Sequence, residues 1–293
     1  MQYHTLQLAN HRQLAYAFWG AAQGQAAFYF HGLPGSAAEG ELLHDTCEQL
    51  GIRLIAVDRF GYGQSSSITQ RDGDRYRLWV QAIQQLADHL QIKQFYLIAA
   101  SGGAPYALAC ASLLHERVAA TVICCGLGSL AVEALRQSMG GLTRWPVWLG
   151  KHAAWLLKVL YGWPGGILVP GLANTFIWLV GRLNGGMDQQ VLAEPVVRRI
   201  MCDNIRRAFA QFGQGGVEDL RAAAQAWPFR LSLIGKLSIW HGDADRVVKL
   251  VHAQWLAQQV QHARLTVING AGHFSLPIAF RERILKALLQ MEL

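Results

Sequence analysis

A chain of 293 residues with 52% hydrophobic and 15% charged side chains can bury a sizeable core, which excludes wholesale disorder. The formal charge is +7, but the basic residues are scattered beyond pairs such as Arg198-Arg199 and Arg206-Arg207. With no nucleic-acid-binding module in the chain, a nucleic-acid partner is not expected.

In chain order, Thr5–Leu8 and Leu14–Phe18 flank Asn10-His11 and predict a hairpin. Ala26–Phe30 is a short apolar strand that stops at His31-Gly32. A helical stretch around Glu39–Leu50 follows, then an apolar strand at Arg53–Val57 that ends on Asp58. Leu78, Ile83, Leu86 and Leu90 place a helix over Tyr76–Leu90. Phe95–Ala99 reads as a buried strand, Gly103–Leu114 as a helix and Val118–Cys124 as another strand. The rhythm breaks near Gly126 and resumes with strands at Leu237–Trp240 and Leu265–Ile268 and helices near Leu250–Val260 and Ile278–Leu289. Apolar strands alternating with helices imply a mostly parallel sheet covered on both faces, with chemistry at the strands' carboxyl ends. The intervening hundred residues are too long for a structureless loop and are helical in character. The expected division is a core of residues 1–126 and 226–293, with an inserted helical cap at 127–225.

Four segments carry candidate chemistry. In Ala99-Ala100-Ser101-Gly102-Gly103 a strand runs into a serine and a helix follows, the setting of an exposed nucleophile on a tight turn. Ala99 stands where a glycine is commoner. In His31-Gly32-Leu33-Pro34-Gly35-Ser36 the Leu33 N–H, with the Gly102 N–H, can serve an oxyanion, whereas Pro34 has no N–H to offer. His31 is expected to brace that loop. A serine hydroxyl needs a base, and a histidine base needs a carboxylate to fix its tautomer. His273, in Gly270-Ala271-Gly272-His273-Phe274, and Asp245, in His241-Gly242-Asp243-Ala244-Asp245, follow later strands and fit those roles.

Taken in order, HGLPGS, DRFGYGQSS, AASGGAPYALA, HGDADRVV and GAGHF resemble the α/β-hydrolase superfamily over nearly the whole chain. The resemblance implies an α/β-hydrolase fold with a helical cap. It implies Ser101 as nucleophile, Asp245 as acid and His273 as base, with Leu33 and Gly102 as oxyanion donors. Its H-G-x-x-D pattern favours Asp245 over Asp243, which a turn shifted by two residues would bring in instead. It implies neither metal nor organic cofactor, and a small-molecule acyl substrate. Asp58 and Arg59 are expected to pair with each other in a Gly-rich turn.

Five cysteines (Cys47, Cys110, Cys124, Cys125 and Cys202) lack CxxC or Cys/His ligand spacing. They are expected to be small buried hydrophobes of a reducing compartment. With no basic-then-apolar start, a cytoplasmic location is expected. Residues 127–225 hold ten Lys/Arg against six Asp/Glu, and five tryptophans: Trp145, Trp148, Trp155, Trp163 and Trp178. Most of these are expected to pack the cap on the core, or to line an apolar pocket that prefers hydrophobic substrates. Membrane contact through the cap is the less favoured alternative. The expected activity is ester hydrolysis through an acyl-enzyme. The rival readings are a non-enzymatic small-molecule-binding protein and a membrane-associated lipid hydrolase.

Overall fold

The computed structural model describes residues 3–292, apart from the side chains of residues 70, 141–143, 151, 154, 160, 161, 163, 164 and 292. The chain begins as the expected hairpin. Strands β1 (Tyr3–Gln7) and β2 (Gln13–Gly20) pair antiparallel, with Gln7 opposite Gln13. Strands β3 (Gln25–Phe30), β4 (Ile52–Val57), β5 (Phe95–Ala100), β6 (Val118–Cys124), β7 (Leu237–Gly242) and β8 (Arg264–Ile268) complete one sheet. Its order is β1-β2-β4-β3-β5-β6-β7-β8. β2 meets β4 antiparallel, and every pairing from β4 to β8 is parallel.

The period of two along each strand divides the core between the two faces. Phe28, Phe30, Leu97, Ala99 and Ile239 face one side, where helices α2 (Arg75–His89) and α3 (Ala104–Leu113) cover them. Ala27, Tyr29, Tyr96, Ile98 and Trp240 face the other. Helix α1 (His44–Gln49) covers that side through Cys47, and a C-terminal helix covers it through Ile284, Leu285 and Leu288. All five cysteines are buried and unbridged.

Between β6 and β7 the chain is helical. It forms α4 (Glu133–Ser138), α5 (Gly141–His152), α6 (Ala154–Leu157), α7 (Trp163–Gly171), α8 (Ala173–Asn184), α9 (Gly186–Ala193), α10 (Pro195–Ala208) and α11 (Gln214–Ala223). Helix α12 (Val251–Gln259) lies between β7 and β8, and α13 (Ser275–Ala279) and α14 (Arg281–Leu289) follow β8. The single C-terminal helix expected from the sequence is thus two helices, because Phe280 leaves helical geometry between them. Likewise, the stretch before α1 starts as a tight 3₁₀ segment, Ala37–Leu43, capped by Ser36.

The Asp58–Arg59 pair expected from the sequence does not form. Asp58 instead accepts the backbone N–H groups of Ala37 at 2.6 Å and Gln64 at 3.3 Å, tying the end of β4 to two loops. Arg59 reaches α11, where its Nε and Nη2 donate to Asp219 at 3.1 and 2.9 Å. Arg75 Nε donates to the same carboxylate at 2.8 Å, as do the hydroxyls of Tyr62 (2.9 Å) and Tyr106 (2.5 Å). Arg59 and Asp219 are buried, and Arg75 nearly so. Burial alone would raise the Asp219 carboxyl, but Arg59 and Arg75 outweigh it and hold it below the usual carboxylate range. Two buried cations therefore depend on one anion contributed by the helical segment. Removing one member of such a set leaves uncompensated buried charge, at a cost of about 3–5 kcal/mol. Asp219→Asn is accordingly expected to lower the denaturation midpoint by that equivalent, measured by urea unfolding. A midpoint within about 0.5 kcal/mol of wild type, the ordinary surface range, would contradict this account.

Candidate active site

Strand β5 delivers Ser101 to the carboxyl edge of the sheet. The residue has φ +51°, in the left-handed region that costs a side chain of this kind about 1–3 kcal/mol. The neighbours explain why the turn is held. A Cβ on Gly102 would stand 2.6 Å from Leu33 Cβ, and one on Gly103 would run into the Phe30 carbonyl. The β3 loop thus lies so close that only glycine fits at both positions after the serine. Ala99, where a glycine is commoner, is fully buried in the core with room for its methyl.

His273 sits in the loop between β8 and α13. Its Nε2 is 3.0 Å from Ser101 Oγ and its Nδ1 is 2.8 Å from Asp245 Oδ2. An ionised carboxylate can only accept, so Nδ1 carries the proton and Nε2 turns its lone pair to the serine. Asp245 is buried in the turn after β7, where the N–H groups of Val247 (2.8 Å) and Val248 (2.9 Å) donate to its Oδ1. Burial pulls the His273 pKa down, but the Asp245 charge and hydrogen bond outweigh it and lift the pKa above the ordinary histidine value. Burial likewise pushes Asp245 up, and the facing His273 more than reverses that. Asp243, the alternative acid, stays on the exposed turn and accepts the Gly270 N–H at 2.7 Å.

Leu33 lies against Gly102, and its N–H makes no hydrogen bond among the described residues. His31 is bonded into the loop instead of facing Ser101. Its Nδ1 donates to Gly32 O at 2.9 Å and its Nε2 accepts the Arg59 N–H at 3.1 Å. Burial, reinforced by Arg59, keeps it neutral by driving its pKa well down.

The site opens into a cavity of about 140 Å³ lined by Leu33, Ser101, His273, Phe176, Ile177 and Val180. The expected tryptophans are not there. Trp145, Trp148, Trp155 and Trp178 are exposed, and the Trp163 side chain lies outside the described residues. Their size and apolarity pointed inward, but α8 turns the smaller Phe176, Ile177 and Val180 to the cavity.

Three polar residues at the site escaped the sequence reading. Asp188, on α9, accepts the N–H groups of His273 (2.9 Å), Phe274 (3.1 Å) and Ser275 (2.8 Å), as well as the Ser275 hydroxyl (2.7 Å). These are orphan donors where the loop enters α13, and one carboxylate satisfies them all. Asn204, on α10, accepts Ser36 N–H at 2.7 Å and donates to Glu39 at 3.3 Å. Glu39 also accepts from Tyr29 OH at 2.7 Å and Gly32 N–H at 3.2 Å, so it braces the residue before Leu33. Burial raises its carboxyl above the usual range. Nothing in the local sequence, Gly186-Met187-Asp188-Gln189-Gln190 or Ala37-Ala38-Glu39-Gly40-Glu41, sets Asp188 or Glu39 apart from an ordinary surface acid.

Cys125, His241 and Asp245 place potential metal-ligand atoms within 4.8 Å of one another. Burial pushes the Cys125 thiol well up, so it stays protonated, while His241 Nε2 donates to Val248 O at 2.8 Å. A protonated thiol and a carboxylate already engaged by His273 make a poor metal set.

A sequence model of the α/β-hydrolase fold matches residues 28–279, and the chain belongs to that family. A 2-hydroxymuconate semialdehyde hydrolase from Pseudomonas putida is 28% identical over 228 residues, spanning 76% of this chain and 71% of the relative. Among solved structures, a bromoperoxidase from Bacillus anthracis superposes with a TM-score of 0.72 at 17% identity, covering 99% of each chain. An enol-lactonase from Burkholderia xenovorans LB400 gives 0.69 at 15%, covering 98% of this chain and 99% of the other. An esterase from Exiguobacterium antarcticum gives 0.70 at 16%, covering 98% and 97%. At such identities the structural likeness carries the fold, and chemistry must be argued from the site.

If Asp188 holds the His273 loop, Asp188→Ala orphans several buried donors, each costing about 1–3 kcal/mol. Thermal unfolding of this variant beside the half-exposed control Asp203→Ala is expected to show a clear loss for Asp188 alone. Equal midpoints would contradict the role.

Proposed function

We propose that the protein is a serine hydrolase that cleaves a carboxylic ester, or a related acyl bond, through an acyl-enzyme on Ser101. The observation that carries this reading is the unbroken relay Ser101–His273–Asp245, at 3.0 and 2.8 Å, on a strained turn beside Leu33. Ser101 Oγ attacks the carbonyl carbon while His273 Nε2 takes its proton. The negative charge that develops on the carbonyl oxygen falls to the Leu33 and Gly102 N–H groups, preset donors that need no rearrangement. The imidazolium is stabilised by Asp245 and returns the proton to the leaving alcohol. Water, deprotonated by the same ring, then attacks the acyl carbon, and as the acyl–oxygen bond breaks the ring returns that proton to Ser101 Oγ, releasing the acid.

The cavity is close in size to an apolar void of about 150 Å³ that holds benzene, so it suits a compact apolar acyl group. The P. putida relative supports a second substrate class for trial, the 2-hydroxymuconate semialdehyde in its name. Turnover of that compound in preference to simple esters would move the reading to it.

The raised His273 pKa sets the pH dependence. The base works only when neutral, so kcat/KM falls as pH drops through the His273 pKa. That acidic limb is expected above about 6.5, the ordinary histidine value. Asp245→Asn removes the charge that lifts it, and the limb is expected to move down as the rate falls. Ser101→Ala is expected to lower kcat on p-nitrophenyl butyrate by at least about 10³-fold. Hydrolysis by Ser101→Ala near the wild-type rate, or an acidic limb unmoved in Asp245→Asn, would reject the reading.

A further inference from the structure

Ten of the sixteen exposed large apolar side chains among the described residues fall between Trp145 and Leu183. Trp145 is 66% exposed, Trp148 51% and Trp155 70%. The helices that carry them are not merely amphipathic. Helix α5 turns Val147 and Leu149 into a core shared with Val217 and Leu220 of α11, and still presents Trp145 and Trp148 to the outside. Helix α8 turns Ile177 inward and Trp178, Leu179 and Leu183 outward. A helix apolar on both faces is ordinarily covered on both. An exposed apolar area of this kind marks a site of interaction.

The charge around it identifies the partner. Residues 139–185 contain Arg144, Lys151, Lys158 and Arg182 and no aspartate or glutamate. Lys158 lies 3.5 Å from Glu218, an acid buried beneath the surface, and Arg182 stacks on Trp178 at 5.4 Å. No single helix among the described residues is long and apolar enough to cross a membrane. Helices α7 and α8 have the required length and composition only as a pair bent by 88°.

We propose that the exposed apolar side chains of this stretch dock the helical segment on the surface of an anionic lipid bilayer. Its tryptophans would enter the interfacial layer and its cations would meet the headgroups. A second copy of this chain fits less well, because a symmetric contact sets two copies of the same cationic stretch, which has no acid of its own, against each other. Docking would bring lipid close to the cavity, since α8 supplies Phe176, Ile177 and Val180 to the cavity wall and Trp178 and Leu179 to the exposed face. The proposal concerns binding and stands whether or not Ser101 is the nucleophile.

The test is co-sedimentation of the full chain with phosphatidylcholine vesicles, with and without phosphatidylglycerol, at low and high salt. The expected result is binding at least about tenfold stronger to the anionic vesicles, weakened by salt. The combined variant Trp145→Ser, Trp148→Ser and Trp155→Ser is expected to lose at least about tenfold of that binding, with an unchanged circular-dichroism spectrum. Should the variant not fold, quenching of wild-type tryptophan fluorescence by brominated lipid replaces it, and absence of quenching overturns the proposal. Protein left in the supernatant with both vesicle types overturns it as well. So does a wild-type dimer that becomes monomeric in the triple variant, which would assign the face to a second copy.

Discussion

The turn from β5 into α3 is the constraint on which the site depends. The β3 loop approaches it so closely that Gly102 and Gly103 admit no side chain, and Ser101 is left in a left-handed conformation. That crowding has a chemical use. It sets the Leu33 backbone beside Gly102 and points the Ser101 hydroxyl away from the sheet towards His273 at 3.0 Å. The conformational cost is met by β5, which is buried along its whole length between β3 and β6. A looser turn would let the serine relax and would separate the hydroxyl from the two N–H groups.

The helical segment between β6 and β7 does more than cover this turn. Three of its buried polar side chains hold loops of the sheet's carboxyl edge: Asp188 the His273 loop, Asn204 the Ser36–Glu39 stretch and Asp219 the Arg59 side chain. Each of the two carboxylates satisfies several donors at once, which is how a charge tolerates burial. Arg59 extends the tie, since it also donates to the His31 and Gly32 carbonyls that lead into Leu33. The Leu33 loop and the His273 loop are therefore both braced from the same helical segment, by different helices.

Much of the sheet was legible because fully buried parallel strands are written as continuous apolar runs, which local reading detects. The strand that ends in Ser101 and the loop around His273 were legible for a related reason: small-residue turns after apolar strands are local signals. The braces were not, because they are contacts between distant parts of the chain. Asp188 stands 85 residues from His273, and Asp219 stands 160 from Arg59. Nothing in the local pattern around Arg59 distinguishes a partner next door, Asp58, from one on α11. The tryptophans misled for the opposite reason. Hydropathy measures a preference for leaving water but does not say whether protein or some other apolar surface provides the cover. Here the cavity took Phe176, Ile177 and Val180, and the described tryptophans of the segment remained outside.

The proposed chemistry rests on activation of the Ser101 hydroxyl. A fluorophosphonate forms a stable bond only with a serine whose hydroxyl is activated, so labelling followed by peptide mass spectrometry reads that property directly. One adduct per chain is expected, on the peptide that contains Ser101, with no labelling of a folded Ser101→Ala variant. A folded wild-type protein that takes no label, or one labelled at another residue, would contradict it.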